Sequence, residues 1–188
     1  MEFGLDDDQR ALQETARRYA REKLLPGYQE RERQGCFDLD MVREMGDLGL
    51  IAPDLPEEFG GLGVSGTTAG MLMEEIAYAD HSVSYIQLLT MLCGGVVAEF
   101  AAKDVANEYL PKFINGENMI GLGLTEPRGG TDAANLILRA RRDGDSFVLN
   151  GEKASISNAT QADYMVVAAR TGAEDEGARG VTAFLVDM

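Results

Sequence analysis

Apolar residues recur with a helical period in the first part of the chain. Between residue 5 and residue 24 a set of apolar residues recurs at spacings of three, four or seven, while Arg10, Glu14, Arg17 and Arg21 take the other side. This pattern predicts an opening helix. Asp6 or Asp7 is its expected N-cap, and Pro26 with Gly27 is its expected end.

Further helices are predicted over residues 39–48, 66–79, 83–101 and 106–114, and the proline- and glycine-rich segment 51–63 is predicted to be a loop. The stretches 66–79 and 83–101 are apolar nearly all round. They are therefore expected either to be buried between other elements or to line an apolar pocket.

The pattern changes near residue 117, where short apolar or alternating runs separated by turn residues predict strands. These strands are expected at residues 119–125, 136–142, 146–149, 164–169 and 181–186. The order of elements predicts an α+β fold, with an all-α helical domain over residues 1–116 followed by an antiparallel β-domain over residues 117–188.

Composition and charge narrow the classes of function. The 188 residues carry a formal net charge of −15, which disfavours nucleic-acid binding and also opposes any polyanionic ligand. Local backbone donors and a few cations would have to overcome that field. Cys36 and Cys93 lack metal-ligand spacing, and His81 is the only histidine, so no metal site and no histidine-based triad is predicted.

The start of the sequence does not look like a signal peptide, because Met1 is followed by Glu2 and an acidic run rather than by basic residues. The longest apolar run, residues 88–98, is too short to span a bilayer. A cytoplasmic protein without a membrane segment is therefore expected.

Two segments have the composition of a binding site. The first, residues 123–132, reads Gly-Leu-Thr-Glu-Pro-Arg-Gly-Gly-Thr-Asp and follows a predicted strand. Glycines let backbone amides approach an anion, so Gly130 and Thr131 could hold a phosphate while Thr125 donates to a polar ring edge. An ordinary glycine-rich turn is the alternative, because the segment is neither a Walker nor a dinucleotide-binding motif.

The second segment, residues 150–158, reads Asn-Gly-Glu-Lys-Ala-Ser-Ile-Ser-Asn. It predicts a tight turn that leads into a short polar strand. In that strand Ser155 and Ser157 would share one face, away from Ile156. On its own the segment indicates a hairpin with a solvated face.

Taken together, the two segments resemble the acyl-CoA dehydrogenase family, whose second flavin segment reads Asn-Gly-x-Lys-x-Trp-Ile-Thr-Asn. Residues 56–63 and 74–77 resemble the family's upstream loop and helix, and the resemblance covers the whole chain. It implies an acyl-CoA dehydrogenase-like fold in which FAD lies between the β-domain and a C-terminal helical bundle. The sequence is expected to be truncated before that bundle.

The resemblance also implies roles for individual residues. The backbones of Leu122 and Leu124 would face the flavin ring, and Thr125 would bond its N5 and O4 edge. Gly130 and Thr131 would hold the pyrophosphate, and Thr131 would also lie near the substrate.

In the second segment, Ser157 stands at the family's second flavin-facing hydroxyl, and Ile156 would contact the flavin through its backbone. Ser155 takes the place of the family's tryptophan beside the flavin, so the usual electron-transfer flavoprotein partner is an open question. Asn135 stands where the family has a small residue.

The implied reaction is α,β-dehydrogenation of an acyl-CoA thioester by a homotetramer or dimer. The family's catalytic carboxylate belongs to the C-terminal bundle, so no catalytic residue is assigned in this chain, and Glu126 and Asp132 are given structural roles. The residues expected to line the acyl pocket, with a plain core role as the alternative, are Tyr85, Leu88, Leu89, Met91 and Leu92. The functional alternatives are a non-catalytic flavin- or acyl-CoA-binding member of the fold and an acyl-CoA oxidase- or flavin monooxygenase-like relative.

Overall fold

The computed structural model describes residues 4–188, so residues 1–3 of the predicted helical domain lie outside it. The chain divides into two compact units, Met1–Met119 and Ile120–Met188. The first unit is helical and the second is built on a β-sheet, which confirms the predicted order of helices followed by strands.

The α-helices of the first unit are α1 (Asp7–Tyr19), α2 (Tyr28–Gln34), α3 (Leu39–Asp47), α4 (Gly66–Ala79), α5 (His81–Phe100) and α6 (Lys103–Ile114). The predicted N-cap is confirmed at Asp6, whose carboxylate accepts from the Gln9 amide at 2.8 Å while the Gln9 side chain accepts from the Asp6 amide. The region 51–63 is a loop, as predicted, apart from one 3₁₀ turn at Glu57–Phe59.

The predicted end of the first helix is wrong. After α1 the chain continues through a π-helical turn, Ala20–Leu24, and a 3₁₀ turn, Leu25–Gly27, directly into α2. Pro26 lies in the first turn of this 3₁₀ segment, where its missing N–H breaks no intrahelical hydrogen bond.

Helix α5 packs against both α4 and α6 and forms the centre of the helical core. Its buried side includes Gln87, whose amide donates to the Leu50 carbonyl at 2.6 Å. By length and composition alone, α5 is long and apolar enough to cross a membrane, but half of its most apolar window is buried within the protein. Burial against neighbouring helices accounts for the apolar residues of the buried half.

The second unit is a five-stranded sheet made of β1 (Ile120–Gly123), β2 (Arg139–Asp143), β3 (Ser146–Asn150), β4 (Tyr164–Arg170) and β5 (Val181–Asp187). The sheet is mixed, so the antiparallel β-domain that the sequence pattern predicts is wrong in strand direction. Strand β4 runs antiparallel to β5 but parallel to β1 and, through one residue pair, to β2. The long segment between β1 and β4 returns the chain to the same end of the sheet, which is what a parallel pair requires.

Candidate functional site

A tight turn follows β1. Glu126 and Gly129 exchange two backbone hydrogen bonds, of 3.1 and 2.9 Å, which place Pro127 and Arg128 at the tip. Gly129 has φ of 140°, a conformation that L-residues rarely adopt, so glycine is required there. The turn therefore has a defined geometry that follows from its sequence.

The turn brings together two of the predicted cofactor residues, Thr125 and Gly130. A Cβ atom placed on Gly130 would lie 2.5 Å from Thr125 Oγ1, so only glycine leaves room for that hydroxyl. The Thr125 carbonyl accepts from the Ala154 amide at 2.9 Å. Its hydroxyl has no hydrogen-bond partner among residues 4–188 and is available to a ligand.

Below the turn lies a buried ion pair that sequence reasoning missed. Lys153 Nζ donates to Glu126 Oε1 at 3.1 Å and to the Leu124 carbonyl at 3.0 Å. The Glu126 carboxylate also accepts from the Ile137 and Leu138 amides, both at 2.8 Å. The sequence indicates a structural role for Glu126 and no role for Lys153, although the lysine is part of the motif that resembles the family.

The ionisation of Glu126 follows from these contacts. Burial by itself raises the pKa of a carboxyl group, but the hydrogen bonds from the Leu138 and Ile137 amides and the charge of Lys153 outweigh that effect. The net result is a pKa below the ordinary value of 4.5. Glu126 is therefore a carboxylate with both oxygens engaged and is unsuited to accepting a proton from a substrate.

The second segment does not form the predicted strand. Ser155 and Asn158 have φ of 56° and 61°, in the left-handed region, so the alternation of side chains that a strand would impose is broken. Ser155 and Ser157 are exposed, whereas Ile156 packs against the core of the sheet. The Ser157 carbonyl lies beside β1, 3.6 Å from the position of a Cβ on Gly121.

The segment starts close to the turn, because Lys153 and Ala154 bond to Leu124 and Thr125. Leu122 is half-buried within β1, opposite Val166 of β4. The structure thus gathers both motifs at one end of β1. Glu126 accepts hydrogen bonds from the amides of Ile137 and Leu138, the two residues that precede β2.

Thr131 and Arg128 are exposed on the same loop. Arg128 makes no ion pair within the described part of the chain and borders a small cavity of about 100 Å³. Asn135, which departs from the family pattern, donates from its side chain to Asp132 at 2.6 Å and closes the turn after Thr131. Asp132 is thereby engaged, and Arg128 supplies a local positive charge beside Gly130 and Thr131.

The predicted acyl-pocket residues separate into two groups. Leu88, Met91 and Leu92 line an open groove of about 460 Å³ between α4 and α5. Leu89 instead points into the core with 6% of its surface exposed, and Tyr85 does not line the groove. The Tyr85 ring packs edge-on against His81, with centroids 5.4 Å apart.

Asp54 also lines this groove, and one of its oxygens is buried with no hydrogen-bond partner among the described residues. Burial raises the pKa of its carboxyl group above the ordinary value of 3.8, against the effect of backbone hydrogen bonds from Asp54 and Leu55. The groove is otherwise mostly apolar, which suits a hydrocarbon group.

The sequence matches the acyl-CoA dehydrogenase N-terminal domain over residues 6–117 and the acyl-CoA dehydrogenase middle domain over residues 121–188. The chain therefore belongs to the acyl-CoA dehydrogenase family. It is 33% identical over 184 residues to isobutyryl-CoA dehydrogenase of Dictyostelium discoideum, covering 98% of this chain and 44% of that protein. It is 35% identical over 185 residues to short-chain specific acyl-CoA dehydrogenase of Mus musculus, covering 98% and 45%.

Solved structures of similar proteins have the same fold over this chain. A chain from work on the electron transferring flavoprotein of Acidaminococcus fermentans superimposes with a TM-score of 0.92 at 30% identity, covering 100% of this chain and 50% of that one. Glutaryl-CoA dehydrogenase of Mycobacterium smegmatis, in complex with FADH2, superimposes with a TM-score of 0.88 at 27% identity, covering 97% and 46%. The predicted fold class is confirmed, and the chain spans about half the length of these relatives.

Proposed function

We propose that the protein carrying this chain is an FAD-dependent dehydrogenase that converts an acyl-CoA thioester to its α,β-unsaturated product. The observation that carries the proposal is the turn after β1, where Gly130 makes room for the unpartnered hydroxyl of Thr125. Family membership and the acyl-CoA substrates named for the relatives support it.

The residues at this end of β1 fit a flavin. Thr125 offers a free hydroxyl for the polar edge of the ring, and Gly130 and Thr131 lie on a glycine-rich loop suited to the pyrophosphate. The Arg128 charge beside them provides a local attraction for a phosphate within a chain whose net charge is −15. Leu122, Leu124, Ser155, Ile156 and Ser157 are the other residues proposed for this site. When bound, FAD supplies the acceptor for the hydride that leaves the β-carbon.

The roles of the chain's own residues are to bind and to orient. The Thr125 hydroxyl holds one edge of the ring by hydrogen bonding. Thr131, exposed on the loop, is proposed to contact both cofactor and substrate. Because Glu126 is fully engaged, the α-proton is proposed to go to a carboxylate other than Glu126, and no residue of this chain is assigned as that base.

The acyl group is proposed to lie along the groove of the helical unit that Leu88, Met91 and Leu92 line. The volume of about 460 Å³ and the two relatives named for isobutyryl- and short-chain acyl-CoA favour a compact acyl group. Electron-transfer flavoprotein as the acceptor, a homotetramer or dimer as the assembly and the cytoplasm as the location are further proposals.

The proposal is tested with the purified protein that carries this chain. We expect it to retain FAD, and we expect anaerobic addition of isobutyryl-, butyryl- or cyclic acyl-CoA to bleach the visible flavin absorbance. Retained FAD without bleaching by any acyl-CoA would instead indicate a non-catalytic binding protein. Failure to bind FAD at all would contradict the proposal at its first step.

An oxidase is the second candidate function, because Ser155 is exposed and replaces the large aromatic residue of the family motif. Stopped-flow reoxidation of the reduced protein separates the two reactions. Fast reoxidation by oxygen supports the oxidase, and slow reoxidation supports the dehydrogenase.

A further inference from the structure

The ion pair between Glu126 and Lys153 connects three separate stretches of the β-unit. Lys153 holds the carbonyl of Leu124 at the end of β1, and Glu126 holds the amides of Ile137 and Leu138 that precede β2. Glu126 itself starts the turn, and Lys153 belongs to the second motif. The two side chains therefore fix, through hydrogen bonds, all the segments that carry the candidate cofactor residues of this unit.

The pair is almost completely buried. Only 2% of the Glu126 side chain and 9% of the Lys153 side chain are exposed. Burying two charges carries a desolvation cost that a hydrophobic pair of similar volume would avoid, so stability alone is a weak reason for a buried ion pair. A role in fixing local geometry is the stronger reason here, because four hydrogen bonds to named backbone or charged groups depend on it.

The geometry that the pair fixes is that of the peptide groups around Thr125. The Leu124 carbonyl accepts from Lys153, and the Thr125 carbonyl accepts from Ala154, the next residue along the chain. Both carbonyls are thereby held by donors of the second motif. The Thr125 hydroxyl, between these two carbonyls, has no hydrogen-bond partner among the described residues.

We propose that Glu126 and Lys153 are positioning residues for the cofactor: they lock the backbone on either side of Thr125 and so place its hydroxyl against the flavin ring. This inference rests on the proposed function, since it assumes that FAD binds at this end of β1. Neither side chain touches the flavin in this proposal. Their effect is transmitted through Leu124, Thr125 and Ala154.

The test uses the purified protein with Lys153→Met, with Glu126→Gln and with both changes together. Arg139→Met is the matched control, because it breaks the exposed Arg139–Glu174 ion pair, of 2.7 Å, in the same unit. Circular dichroism and thermal unfolding report folding. The decisive readings are the Kd for FAD, the visible circular dichroism of bound flavin and its reduction potential.

Lys153→Met is expected to raise the Kd for FAD by about tenfold and to change the visible circular dichroism and the potential, while Arg139→Met leaves all three unchanged. Lys153→Arg, which keeps the charge, is expected to recover part of the affinity. A purely structural pair would lower the unfolding temperature without altering the bound flavin. Lys153→Met protein that folds and shows unchanged Kd, spectrum and potential would overturn the proposal.

If Lys153→Met does not fold, the double variant Glu126→Gln, Lys153→Met is used in its place, because it leaves no unpaired buried charge. The Kd for FAD, the visible circular dichroism and the reduction potential of the double variant then decide. In the unchanged protein, the amides of Ile137, Leu138 and Ala154 are expected to exchange hydrogen more slowly once FAD is bound. An unaltered exchange rate at these amides would contradict the proposal. If the unchanged protein and the Arg139→Met control bind no FAD, the proposed function itself fails.

Discussion

Replacing Gly130 with alanine tests the central feature of the candidate site without any assumption about its ligand. The new Cβ would lie 2.5 Å from Thr125 Oγ1, 3.1 Å from its Cγ2 and 3.2 Å from its Cβ. The first distance is far inside van der Waals contact, so either the threonine side chain or the loop has to move. Overpacking of this kind costs about 1–3 kcal/mol of unfolding free energy.

The clash predicts coupling between the two positions. Thr125→Ala removes the oxygen and the Cγ2 atom and leaves only the 3.2 Å contact, so Gly130→Ala is expected to cost much less in that background. The difference, measured by urea unfolding as a double-mutant cycle, is expected to be about 1–2 kcal/mol. FAD affinity, measured in parallel, is expected to fall in both single variants.

Gly129→Ala is the matched control. No atom lies within 4 Å of the position of its Cβ, but its φ is 140°, so it is expected to lose about 1–3 kcal/mol from backbone strain alone. That loss should be the same with Thr125 or with alanine at position 125. Equal costs of Gly130→Ala in the two backgrounds would refute the reasoning about the threonine hydroxyl.

Three further outcomes follow from ionisation and burial. Because the pKa of Glu126 is lowered by folding, its ionised form stabilises the fold at pH above the ordinary value of 4.5, and this contribution is lost as the pH falls through the folded-state pKa. In Glu126→Gln, the free energy of unfolding should therefore depend less on pH below 4.5. Burial raises the pKa of Asp54, so its ionisation costs stability as the pH rises, and Asp54→Asn should stabilise the protein more at neutral pH than in mild acid, as urea unfolding would show. Burial raises the pKa of Cys93 to about 12, so a thiol reagent should modify exposed Cys36 rapidly and Cys93 only on unfolding, and two fast thiols in the native protein would contradict this.

Much of the helical unit could be predicted because its signals are local. The Asp6 capping box and the left-handed Gly49 after α3 are set by neighbouring residues. Helix α2 was missed because Pro26 and Gly27 read as a stop, whereas a proline in the first turn of a new helical segment is equally acceptable.

Which side of α5 is buried could not be predicted, because apolar residues occur nearly all round the helix. Leu88 and Leu92 are one turn apart and line the groove, whereas Leu89, next to them on the helix surface, is buried in the core. Periodicity identifies a buried stripe only where a polar stripe contrasts with it.

In the β-unit, strand positions could be predicted but not strand directions, because alternation contains no information on whether neighbours run parallel. The ion pair of Glu126 with Lys153 is a tertiary contact between residues far apart in the chain, so local sequence signals do not predict it. The left-handed backbone at Ser155 is contrary to local preference, since serine has a Cβ, and the surrounding structure imposes it. Motif resemblance located these residues but not their hydrogen bonds.

The position of β4 has a consequence for how the candidate site is assembled. Ile120 of β1 pairs with Tyr164, so β1 has no neighbour in the sheet until the whole stretch containing both motifs has been synthesised. The chain between them is then a closed loop, and its closure entropy is offset only when β4 is in place with β5 along its other edge. We therefore expect completion of the site to be a late folding event. Substitutions in β4 that contact none of the candidate site residues are expected to slow the formation of the site.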